Sequence, residues 1–136
     1  MITEDHCSFE TAVLLKKKGF DIPCGKHYYQ YGEISPYTDN VINWNTPEDD
    51  YYSCPSQSLA LKWLREIHHV EILITYGFPF INGKQSYKYF WCPVKITDTG
   101  LEYPMDDPSV AFAEEMSDTY EEACENGIKW VLENLI

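Results

Sequence analysis

The run from Tyr87 to Ile96 restricts the fold more than any other stretch of the chain. It reads as one long strand, and successive side chains of a strand point to opposite faces. Lys88, Phe90, Cys92, Val94 and Ile96 therefore share one face, and Tyr87, Tyr89 and Trp91 share the other. Only one face can be the helix-covered core. If that is the face of Phe90, the sheet presents Tyr87, Tyr89 and Trp91 on its second side. The alternatives are that this aromatic face is itself the core or is covered by residues 97–118, since exposed aromatic patches are uncommon in monomers.

Val70–Tyr76 is a second strand, joined to the first through a loop over Gly77–Ser86, and the two form a hairpin. An earlier pair, Lys26–Tyr31 and Ile34–Thr38, flanks Gly32-Glu33 and reads as another hairpin. Alternation there groups His27, Tyr29 and Tyr31, and Pro36 favours an edge for the second arm. Ser8 caps a helix over about residues 9–18, with Glu10 early and Lys16, Lys17 and Lys18 at its end. Pro55, with Ser53 as a cap, opens a second helix through His68, whose apolar stripe is Leu59, Ala60, Trp63, Leu64 and Ile67. Thr119 caps a third, Tyr120 to about Glu133. Residues 39–54 read as a long loop, and residues 97–118 as an irregular connection with a short element near Val110–Ala113. The order is α-β-β-α-β-β-α. Two hairpins without a parallel crossover give an antiparallel sheet with helices on one face, a single α+β domain of 136 residues.

Ser8-Phe9-Glu10 through Lys18-Gly19-Phe20, Pro55-Ser56-Gln57 through Trp63-Leu64-Arg65-Glu66, and Thr119 through Leu132-Glu133 carry a resemblance. Together they make the chain similar to a group of short acidic hypothetical proteins of Bacteroides-type gut bacteria and their phages. The resemblance implies a bacterial or phage origin and cytoplasmic residence. It brings no catalytic residue with it.

The N-terminus lacks a basic region followed by an apolar stretch, so a cytoplasmic location without membrane attachment is expected. Five cysteines, never closer than 17 positions, form neither a disulfide framework nor a CxxC pair and read as buried free thiols. The glycines are isolated, GxSxG and HExxH are absent, and no cofactor and no metal site is expected. Ten Lys+Arg against 22 Asp+Glu give a formal net charge of -12, which disfavours direct nucleic-acid binding. Between Lys95 and Lys129 ten acids occur without one base, a field that could steer a basic partner or imitate a nucleic-acid backbone. In the 39–54 loop, Trp44, Asp49, Asp50 and Tyr51 form a second candidate cluster.

Aromatic content is the most informative bulk property, at 15% of the chain. Rings with polar tips suit interfaces because they bury area and still satisfy a hydrogen bond. The reading is a non-enzymatic module that binds a protein partner or itself through Tyr29, Tyr31, Tyr87, Tyr89 and Trp91. A small hydrolase or transferase with a carboxylate or Cys/His site, and an acidic inhibitor mimicking nucleic acid, are the alternatives.

Overall fold

A computed structural model describes residues 2–36, 40–104 and 116–136. The elements are α1 (Phe9–Lys17), β1 (His27–Tyr28), β2 (Tyr52–Ser53), α2 (Gln57–His68), β3 (Val70–Gly77), β4 (Phe80–Ile81), β5 (Lys84–Gln85), β6 (Lys88–Thr97), β7 (Gly100–Glu102) and α3 (Tyr120–Asn134). The architecture is α+β, with every strand pair antiparallel. None of these helices is long and apolar enough to cross a membrane.

Local signals account for the helices. The side chains of Ser8 and Thr119 accept from the backbone N–H of Thr11 and Glu122, closing the first turns of α1 and α3. The cap of α2 is Ser56, which accepts from Leu59 N–H, rather than Ser53. Ser53 is instead in β2, where its hydroxyl accepts from Trp44 N–H at 3.1 Å.

The strands divide among three sheets rather than joining in one: β1-β2, β3-β6-β7 and β4-β5. The first hairpin closes too early to build a ladder, because Tyr29 N–H donates to Glu33 O and Gly32 N–H to Tyr29 O. Tyr28 and Ile34 then meet in a single bridge. The ladder partner of β1 comes from the segment read as loop, with His27 opposite Ser53 and Tyr28 opposite Tyr52. Tyr37 and Thr38 of the expected arm, and the element expected near Val110–Ala113, lie outside the described residues. Three more strands escaped the sequence reading: β7, and β4 with β5, a hairpin turned by Asn82 and Gly83, both at positive φ. Asn-Gly is a strong two-residue hairpin signal because both central residues must take positive φ.

In the main sheet Val70 faces Lys95 and Gly77 faces Lys88, so β3 is paired over its whole length. Ile96 N–H donates to His69 O at 2.8 Å, which sets the phase of the ladder. Hydrogen-bonded pairs alternate along an antiparallel ladder, so Ile72 and Pro93 form a non-hydrogen-bonded pair. Pro93 fits mid-strand for that reason: its missing donor would have pointed away from β3.

The core lies between the sheet and α3. Ile72 and Trp91 pack with Ile128, Val131 and Leu132, and α1 and α2 add Leu15, Trp63 and Leu64. Trp91 is 1% exposed, so of the readings left open for the face of Tyr87, Tyr89 and Trp91 the one that makes it core holds at Trp91, and Trp91 as a partner-binding residue is corrected. The face of Trp91 is the helix-covered face, and Trp91 meets Trp130 at 5.7 Å between ring centroids. Gly127 makes the close approach possible, because a Cβ there would sit 2.9 Å from Ile72 Cγ2 and 3.3 Å from Trp91 Cβ. On the other face Cys92 and Val94 are buried as well. Both faces of β6 are therefore shielded near its middle, and simple apolar content could not tell core from surface.

Candidate functional site

The aromatic stripe of β6 is core at Trp91 and open at Tyr87, because α3 ends between them. Ser117 exchanges two backbone hydrogen bonds of 2.9 Å with Tyr89, and Lys88 forms an ion pair with Asp118. These contacts pin the start of α3 above Tyr89, with the rings of Tyr89 and Tyr120 6.3 Å apart. Beyond that point, among the described residues, the same sheet face continues with no helix over it. There Tyr76 stacks on Tyr87 at 5.1 Å, Phe78 meets Tyr87 edge-on at 4.8 Å, and Tyr89 lies 5.5 Å from Tyr87. Tyr76 is 62% exposed, and Phe78, Tyr87 and Tyr120 are exposed too. The result is an aromatic platform at the loop end of the β3-β6 hairpin.

Of the residues singled out from sequence, Tyr87 and Tyr89 belong to this platform and Trp91 does not. Tyr76, Phe78 and Tyr120 were missed. Tyr76 continues the period-2 series of Ile72 and Ile74, but its place beside Tyr89 needs the register of β3 on β6, which no local pattern reveals.

Tyr29, Trp44 and Tyr51 gather elsewhere, around His27. The His27 ring stacks on Trp44 at 3.8 Å, with Tyr29 and Tyr51 each edge-on at 5.2 Å. Tyr31 does not join them. It sits in the turn, 81% exposed, because the ladder that would have kept the alternation stops at Tyr28. The loop after Trp44 is latched to α1, since Lys16 Nζ donates to the carbonyls of Asp49 and Tyr51 at 2.7 and 2.9 Å. Asp49 also accepts from the Thr46 hydroxyl, and Asp50 is exposed. The loop cluster is thus a folded support for β1-β2, with its acids turned to local hydrogen bonds or to solvent.

His27 is 5% exposed and its Nδ1 has no hydrogen-bond partner. Burial lowers its pKa from the usual 6.5. At the end of α2 the His68 ring packs 4.6 Å from Trp63, and burial lowers its pKa, with His69 adding to the effect. A lowered native pKa means that the unfolded chain takes the proton first. The stability contributed by neutral His27 and His68 is full above about pH 6.5 and is lost as pH falls through their depressed native values. Urea midpoints measured from pH ~7.5 to ~5.5 should fall, and His27→Phe, which keeps a ring on Trp44, should flatten the slope. Equal slopes in the two proteins would show that His27 carries no linkage.

All five cysteines are buried and unpaired, as expected from their spacing. Burial pushes every thiol up, Cys24 to about 11 and Cys124 to about 12. A cysteine nucleophile needs the opposite, a stabilised thiolate. Among the described residues no three His, Cys, Asp or Glu side chains converge as a metal site would require. Of the ten acids between Lys95 and Lys129, Glu125 is committed internally, accepting from Ser8 N–H at 2.8 Å and from Gln57 Nε2 at 3.3 Å. Glu121 and Glu122 lie in the first turn of α3, where the helix dipole favours them. Asp106, Asp107, Glu114 and Glu115 lie outside the described residues. No protein-family model, no curated protein and no solved structure matches the chain.

Proposed function

We propose that the chain is a non-enzymatic protein-interaction module that takes a protein partner at the aromatic platform formed by Tyr76, Phe78, Tyr87, Tyr89 and Tyr120. The observation that carries this reading is a continuous set of ring contacts that leaves the helix-covered core and runs into solvent. Large rings contribute binding area with little rotamer entropy to lose, and their hydroxyl tips stay hydrogen-bonded on either side of association. A net charge of -12 favours a partner with basic groups around an apolar centre and disfavours nucleic acid. Five free thiols suit a reducing cytoplasm.

The test is capture of partners by three immobilised forms: the wild-type chain, a Tyr76→Ser/Tyr87→Ser double variant and a Leu101→Ser control. Leu101 is an exposed apolar residue on β7, remote from the platform in sheet order. A specific partner held by the wild type and the control should be lost, by roughly 10-fold or more, from the double variant. Equal capture by all three would reject the platform. Both tyrosines are exposed, so the double variant should melt close to the wild type.

A further inference from the structure

The outer edge of β3 carries an unmet hydrogen-bonding pattern. From the phase set by Ile96 and His69, the odd residues of β3 bond to β6, while the N–H and C=O groups of Ile72, Ile74 and Tyr76 point outward. None of these three has a backbone partner on that side among the described residues. The strand is eight residues long, without proline, lysine or bulge. Its one charge, Glu71, is matched by Arg65 at 3.6 Å. Natural edge strands are kept short, charged or interrupted to avoid pairing. The opposite edge of the same sheet follows that rule, since β7 has three residues, includes Glu102 and follows Asp98.

We infer that β3 is the contact edge of a symmetric dimer, in which a second copy of the chain adds its own β3 antiparallel and joins the two sheets into one. The strand is self-complementary. With the two-fold axis at Ile74, Ile74 lies opposite its own copy, Ile72 opposite Tyr76, Leu73 opposite Thr75 and Glu71 opposite Gly77, so like charges never meet. Leu73, 48% exposed on the face away from α3, becomes covered. The acids of β7 lie two strand spacings away, about 10 Å, which exceeds the screening length of about 8 Å at physiological salt. Local neutrality is what favours a second acidic copy here over a basic peptide.

This inference does not rest on the partner reading, because the backbone edge of β3 and Leu73 carry it, and Tyr76 is the one platform residue that also lies at this edge. The experiment is sedimentation velocity on the full chain from micromolar to sub-millimolar concentration, with backbone amide exchange read at both ends of that range. The wild type should reach twice the monomer mass, and the amides of Ile72, Ile74 and Tyr76 should slow as it does. Leu73→Lys and Thr75→Lys, each placing a cation beside the axis, should each weaken association by roughly 10-fold or more while melting near the wild type. Thr75 is exposed, so Thr75→Lys keeps the test available if Leu73→Lys folds poorly. Tyr87→Ser should still dimerise, which separates this result from failure of the platform. A wild type that stays monomeric throughout, leaving the edge for some other strand, overturns the dimer. So does a dimer that survives both lysines with those amides unprotected.

Discussion

Trp91→Ala is expected to cost about 3–5 kcal/mol, the range for removing a fully buried large aromatic and leaving a cavity. Total stability of a domain this size is about 5–15 kcal/mol, so the loss is a large fraction of the whole. Trp91 is almost fully buried, its ring meets Trp130 at 5.7 Å, and the backbone of α3 is brought against it at Gly127. The hole cannot collapse easily, because α3 already sits as close to the sheet as a glycine allows. Trp91→Phe separates packing from polarity. The indole N–H of Trp91 is buried without a partner, so phenylalanine loses area but also removes an unmet donor, and should cost well under half as much. Chemical denaturation of both variants decides it. A cost for Trp91→Ala below roughly 1 kcal/mol, the scale of surface changes, would place the aromatic face of β6 in solvent after all.

Trp63→Ala should be of similar size, again about 3–5 kcal/mol, for a different reason. Trp63 is the point where α2 meets the segment after α1: its ring packs edge-on to Phe20 at 5.3 Å and to His68 at 4.6 Å. Truncation opens a cavity beside Phe20 and also lets water reach His68. The variant should therefore lose stability at neutral pH and, with His68 no longer desolvated, lose less of what remains on acidification. A variant as stable as Ile67→Ala, whose side chain is mostly exposed, would mean that α2 presents another face to the core.

The stripe read for α2 illustrates how far local pattern reaches. Ala60, Trp63 and Leu64 are buried as the helical period requires, but Ile67 is exposed and the polar Gln57 is buried, where its amide donates to Glu121 O at 2.9 Å. Period places a residue on a face, and only the neighbouring element decides how much of that face is covered. The same limit governs the candidate site. Tyr87 and Tyr89 could be named from composition and alternation, whereas Tyr76, Phe78 and Tyr120 come to them from other elements through the β3-β6 register and the start of α3. The cluster around His27 shows it in reverse: Trp44 and Tyr51 were grouped as neighbours in one loop, and what brings their rings together is a buried histidine on β1.

What the amino-acid order settled by itself is what nearest neighbours settle. Ser8 and Thr119 cap their helices through hydroxyls that reach N–H groups three residues on, β-branched and aromatic runs made β3 and β6, and the cysteine spacing ruled out a disulfide framework. Which face of β6 is core, which strand pairs with β1 and where the aromatic stripe meets water were decided only by tertiary packing. The reason is one of degeneracy. Tyr87, Tyr89 and Trp91 are chemically alike and equally spaced, so local free energy cannot rank them, and the difference arises because α3, fixed by Ser117 and the glycine at 127, covers one end of the stripe and stops before the other.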